Sequence, residues 1–425
     1  MRRELNRSLL AVFALLGLCA SSLGQAPAET PQPALARTMR MQPLPDAPGV
    51  IPEGLVGENP FAEFSGYGEG AGCGPAGLGY RRSYWGNVDM LVWWRSGQNL
   101  PALVTTEPNQ GILPGGTILY GDEIVGTRAH IGVRAEFGLW FENFPELGVG
   151  FRFAMPGREQ SIFSLTSDGT DQISRPFFDV IPNNLFRFGP NAAEIAGPNA
   201  NVAGGPSGGT ITVTTTSEIY ASDVYFRRVA YRGEFLSVDA TAGYQTTRIN
   251  ESLIIDSTTL LPNSLRVLDY FQTYNEFHGA TVGMLANIDY GNFQIDVLSK
   301  IAFGRMHEKI RIRSLRDPEA TLPADPQAGL LALNSNRGEF TERDFAVVPE
   351  VSLKLSYFVT SNIKLNVGYS LIYWSTVVQP GNQVDTFINS SQIDGALVGD
   401  PRPRVLFRTS DYWTQGLNLG LTCDF

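Results

Sequence analysis

The sequence predicts an all-β protein, an antiparallel up-and-down transmembrane β-barrel of about ten strands. Three observations carry that prediction. Apolar and polar residues alternate over stretches of ten residues or more, the period of a strand with two different faces. The connections between these stretches are short and long in turn. The composition is poor in charge (17%) and rich in glycine (45 of 425 residues), which suits strands and turns better than helices.

The N-terminal residues read as an export signal over 1–24. Arg2, Arg3 and Arg7 precede an apolar core from Leu9 to Ala20, and Ser22-Leu23-Gly24 supplies a cleavage site. Cys19 sits in a weak lipoprotein-like box, but Leu18 stands where that box needs a small residue, so Cys19 reads as part of the discarded signal. Residues 25–80 form a Pro/Gly-rich stretch (Pro27, Pro31, Pro33, Pro43, Pro45, Pro48, Pro52) and are expected to be a flexible periplasmic leader. No later run approaches the ~20 apolar residues of a spanning helix. A net charge of −10 argues against a broad nucleic-acid face. Three cysteines in so long a chain argue against a disulfide scaffold.

Residues 81–425 are expected to form the barrel, with strands at about 84–95, 126–141, 146–166, 211–230, 234–250, 268–290, 292–313, 342–359, 362–376 and 409–425. The last shows the pattern best: Trp413, Leu417, Leu419, Leu421, Cys423 and Phe425 share one face, and Thr414, Gly416, Asn418, Gly420, Thr422 and Asp424 the other. Stretches this long match tilted strands crossing lipid. Short turns such as Tyr290-Gly291-Asn292 are expected on the periplasmic side, and long loops (96–125, 167–210, 251–267, 314–340, 377–408) outside. Twelve strands are the alternative, if the 167–210 or 377–408 loop hides a hairpin. Trp85, Trp93, Trp94, Trp140, Trp374 and Trp413 all fall near strand ends, which predicts an aromatic girdle at the membrane interfaces. Phe425, closing a strand with Cys423, Leu421 and Leu419, is expected to be the signal that barrel-assembly machinery reads.

The polar face is the lumen. It carries Asp89, Arg134, Glu136, Arg152, Arg227, Asp239, Asp296, Lys300, Lys354 and Lys364, together with many glycines that leave room. Mixed charge there suits a water-filled channel or a network of ion pairs filling a narrow barrel, since ten strands enclose little more than packed side chains. Chemistry has few candidates. Glycines 72, 74 and 77 fit a dinucleotide spacing without its strand and helix. The three histidines, His130, His278 and His307, stand far apart in sequence, and His307-Glu308 has no nucleophile placed beside it. Asp168 and Asp171 read as a solvated turn with calcium as the alternative. No catalytic, cofactor or metal site is expected, and the chain is not expected to be an enzyme.

Tyr84-Trp85-Gly86-Asn87-Val88-Asp89-Met90-Leu91-Val92-Trp93-Trp94 resembles the first strand of the putative beta-barrel porin family seven. Leu100 to Thr106, Arg175-Pro176-Phe177-Phe178-Asp179, Phe271 to Gly279 and the ending Tyr412 to Leu421 are similar to that family as well. Cys73, in Gly72-Cys73-Gly74-Pro75, fits its Cys/Gly-rich lead-in. The resemblance covers about 73–425 and implies a Gram-negative-type outer-membrane barrel, with little said about chemistry. Cys73 and Cys423 could pair in the oxidising periplasm, although Cys423 faces lipid in this register. The expected function is a small or gated porin-like diffusion channel. The alternative is a non-conducting structural or surface-interaction barrel acting through its long loops. Expected partners are outer-membrane lipid, the assembly machinery, and small solutes or surface partners, with no nucleic acid.

Overall fold

A computed structural model describes residues 84–181, 188–198, 200, 205–260, 264–320 and 324–424. The expected signal, leader, Cys73 and Phe425 lie outside them. Ten strand positions make the wall: β1 (Tyr84–Arg95), β2 (His130–Phe141), β3 (Phe144–Met155 and Glu159–Ser167), β4 (Gly209–Arg232), β5 (Leu236–Thr259), β6 (Leu265–Tyr290), β7 (Phe293–Asp317), β8 (Gly338–Phe358), β9 (Ile363–Val378) and β10 (Thr409–Asp424). Each pairs antiparallel with its chain neighbours, and β10 pairs with β1, so the sheet closes. Closure leaves the ring no open first or last strand, the condition for a sheet to cross lipid. Among the described residues no helix is long and apolar enough to do so.

The strand expected over 146–166 is broken at 156–158. Pro156 has no N–H to give the ladder and Gly157 has a φ of +86°, so the chain steps sideways and resumes along the same partner, β4. The wall is uneven. β4 to β7 run for 24 to 26 residues, whereas β1 and β2 have 12.

The long loops hide strands, but these add none to the ring. Val104–Thr106, Thr117–Tyr120, Ile173–Asp179, Gly189–Ala196 and Phe387–Ile388 form a second small sheet of their own. This crown is tied to the wall by Asp269 of β6. Its buried carboxylate accepts the N–H groups of Leu330, Leu331 and Ala332 at 2.8–3.1 Å and the Arg175 guanidinium at 2.5 Å.

The outer face carries Val88, Met90, Val282, Met284, Leu353, Leu365, Leu419 and Leu421, all more than a third exposed, and Cys423 follows them as a free thiol. The tryptophan girdle does not form as expected. Only Trp94 and Trp413 lie on the outside; Trp94 sits edge-on to Tyr369 at 6.2 Å. Trp85, Trp93, Trp140 and Trp374 point into the barrel, and the last three are under a tenth exposed. Being near a strand end does not choose a face; parity does. Trp85 and Trp93 share parity with Asn87, Asp89 and Leu91, and Trp93 Nε1 donates to Asn418 Oδ1 at 2.7 Å. The exposed rings are instead Tyr and Phe: Tyr84, Phe144, Tyr290 and Tyr357 at the turn end, Tyr220, Tyr244 and Phe345 toward the loop end.

Nor do the inward glycines leave space. A Cβ on Gly138 would stand 2.0 Å from Trp85 Cζ2, one on Gly150 2.4 Å from Tyr225 Cζ, and one on Gly420 2.0 Å from Asp89 Oδ1. The glycines let large side chains lie flat on the neighbouring strand. Gly138→Ala should therefore displace Trp85 and cost about 1–3 kcal/mol. A lowered midpoint in the heat-modified gel shift is the check; an unchanged midpoint would remove Trp85 as the constraint.

Candidate functional site

The interior is stacked in layers. At the turn end a cavity of about 470 Å³ opens between Trp85, Glu136, Trp140, Tyr225, Arg227 and Lys354. Arg227 lies over both indoles, 5.5 Å from Trp85 and 5.2 Å from Trp140, and its guanidinium meets Asp239 at 2.6 Å. The Tyr225 hydroxyl donates to Glu136. Lys364 bridges to Asp424 at 2.8 Å and reaches Gln294 at 2.9 Å. Lys354 donates to Asn87 at 3.3 Å, and Asn287 donates to Asp296 at 2.6 Å.

Deeper in, the charges close on each other. Arg152 of β3 grips Asp223 of β4 with Nε and Nη2 (3.1 and 2.8 Å) and Glu350 of β8 with Nη1 and Nη2 (2.7 and 2.8 Å). Lys300 of β7 bonds the same Asp223 and lies 3.0 Å from Glu350. Two cations and two carboxylates from opposite walls thus neutralise one another, with Asp223, Lys300 and Glu350 all under a tenth exposed. Beside them Arg134 holds Asp89 at 2.7 Å and Ser370 at 3.1 Å.

Above this layer the inward positions bring in large apolar side chains, with buried Arg95, Glu251 and Glu308 next along the same strands. Leu91, Trp93, Ile249, Phe277, Met306, Val348 and Trp374 form one packed cluster, each at most 1% exposed. Asn275 of β6 then reaches the bulged end of β9, accepting from the Val378 N–H at 2.8 Å and donating to its carbonyl at 2.9 Å. Further toward the loop end the crown fills the bore with Leu103, Ile173, Leu331, Leu333 and Ile388, buried against Ile211, Leu253 and Phe271 of the wall. The mixed-charge chamber at the turn end is thus followed by a layer of buried apolar side chains.

The ten charges expected in the lumen all have inward positions. Eight line the turn-end cavity, while Asp89 and Asp239 are covered by their arginine partners. The alternation found them; it gave no sign of Asp223 and Glu350, their partners, because pairing across the barrel leaves no mark in the local sequence. His307 and Glu308 occupy opposite faces of β7, so they form no dyad. Asp168 accepts from the Thr170 N–H (3.0 Å) and hydroxyl (2.7 Å), bonds that hold its carboxyl below the usual carboxylate range. Among the described residues no cluster of His, Cys, Asp and Glu could hold a metal ion.

The description of one protein family, Putative beta barrel porin-7, matches residues 85–425. No curated protein matches the chain. Solved structures similar to it include the outer membrane protease OmpT from Escherichia coli, at 10% identity over 81% of this chain and 97% of that one, with a TM-score of 0.42. Others are an anion-selective porin from Comamonas acidovorans (10% identity, 81% and 99% covered, TM-score 0.18) and a Pseudomonas aeruginosa FadL homologue (6%, 81% and 90%, 0.22). At these values the likeness carries no functional argument.

Removing one member of the four-charge cluster leaves the others buried at the inner end of the cavity without their partner. Arg152→Ala leaves Asp223 and Glu350 facing a single cation, and should cost about 3–5 kcal/mol. Equilibrium urea unfolding in detergent would read this. A loss under about 1 kcal/mol would mean that water reaches the cluster and screens it.

Proposed function

The chain belongs to the putative beta barrel porin-7 family, and we propose that it is an outer-membrane barrel closed to solute, a structural or surface-interaction protein acting through its folded loop crown. Family membership implies the outer membrane. The short turns and the cavity then face the periplasm, and the crown faces outward. The observation that carries the reading is the apolar layer of Leu91, Trp93, Ile249, Phe277, Met306, Val348 and Trp374, each at most 1% exposed. A permeating ion would have to leave water for hydrocarbon there.

The lumen charges, which by themselves suit a channel, support closure once their partners are seen. Arg134, Arg152, Arg227 and Lys300 each meet a carboxylate within 3.0 Å, so little net field remains to select an ion. A gated channel is the second reading. It is favoured by the chamber of about 470 Å³ at the turn end, which would be a vestibule if the crown and apolar layer moved together. No catalytic role enters either reading.

Planar-bilayer recording of the refolded protein tests this. Folded wild type should give no unitary steps. Trp93→Ala/Phe277→Ala/Trp374→Ala, which empties much of the apolar layer, should give small ohmic events. Reproducible steps from the wild type would overturn closure and leave the gated channel.

A further inference from the structure

The outer wall carries an arrangement that the lumen does not explain. On β7 the outward residues from the turn end are Phe293, Ile295, Val297, Ser299, Ile301 and Phe303, followed by Arg305, His307, Lys309, Arg311 and Arg313. Ten steps of about 3.4 Å, tilted by about 40°, make the first stretch about 26 Å tall, the height of an apolar membrane band. Arg305 is therefore the first charged group past the hydrocarbon. Neighbouring strands change at the same level. Ala280 lies opposite Phe303 and His278 opposite Arg305, while on β8 Phe345 lies beside Arg305 and Arg343 beside His307.

Charge there is one-sided. Arg248, Arg305, Lys309, Arg311, Arg313 and Arg343 face outward, against Glu276 and Glu339. Glu276 is held by Arg248 at 2.6 Å, and Glu339 by Lys309 and Arg311 at 2.6 and 2.5 Å. Glu342 and Asp344 stand at alternate positions of β8 and face the other way. Arg305 and Arg343 are exposed, and among the described residues neither has a carboxylate within 4.0 Å. Beside them are two of the three histidines, His307 between the two arginines and His278 on β6 across from Arg305, with ring centres 6.1 Å apart; the Tyr244 hydroxyl lies 2.7 Å from His278 Nδ1 and Glu276 Oε1 3.4 Å from His278 Nε2.

We propose that Arg305 and Arg343, with His307 beside them, form a binding site for the phosphate of an anionic lipid headgroup in the loop-end leaflet. The acyl chains would lie against Phe303, Ile301 and Phe345, and the headgroup would reach the two guanidinium groups, whose planar donors match phosphate oxygens. A headgroup at this level meets charge and apolar wall together, whereas a free phosphate would meet only the charge. The site is independent of whether the lumen conducts.

The test is native mass spectrometry of the full-length protein refolded in dodecylmaltoside, with diphosphoryl lipid A as the probe and the same lipid stripped of phosphate as its control. The phosphorylated form should be retained about tenfold better, and Arg305→Gln/Arg343→Gln should lower that retention about tenfold. Arg305→Lys/Arg343→Lys should keep most of it, and Thr212→Gln on the far wall all of it. Equal retention of the two lipids, or full retention by the Gln pair, would overturn the site. Complete displacement by about 10 mM inorganic phosphate, with no displacement by sodium chloride of the same ionic strength, would make it a free-anion site and overturn the headgroup assignment. If the Gln pair fails to refold, as judged by gel mobility, the two-lipid comparison in wild type decides alone.

Discussion

Four side chains meeting across the bore, Arg152 and Lys300 with Asp223 and Glu350, are the constraint around which the rest of the barrel is arranged. They come from β3, β4, β7 and β8, so the contact pins opposite walls at a fixed separation. Each is largely buried, and a buried charge without its partner gives up hydration without return. The pairing fixes strand register too: slipping any of these strands by one residue would turn its charge into lipid.

The layers on either side follow from that clamp. Toward the turn end, where water enters, the inward residues stay polar and loosely packed around a cavity. Toward the loop end, where the crown lies within the bore, hydrocarbon is mixed with buried polar groups, among them Asn275, matched by the Val378 backbone, and Asp269, matched by the 330–332 turn. Glycines in the wall admit this filling, because a ring can lie flat over a strand only where no Cβ intervenes. Narrow closure and inward glycine are thus one device rather than opposites.

Outside, the solvent changes along each strand from hydrocarbon to headgroups to water, and the outward residues of β7 record it in order: Ile295 and Phe303, then Arg305, then Arg311 and Arg313. The long strands continue well past the band. That extension carries the crown and exposes the cationic wall, two features that a barrel trimmed to the membrane would lack.

Much of this was legible in the chain. Strict period two, ten long stretches and alternating connection lengths gave the barrel, its strand number and the inward parity of Asp89, Arg152 or Lys300, because each of those is a local property of an extended backbone. Nearness to a strand end does not place the tryptophans, because parity chooses the face, and that parity is legible at Trp85 and Trp93. What no stretch could state is which inward residues meet. Arg152 lies 198 positions from Glu350, and Leu331 of one loop seals the same bore as Ile173 of another. Sequence by itself determined an alternating wall with a polar inside; only ring closure, by setting ten registers at once, decided which inward charges meet and what packs beside them.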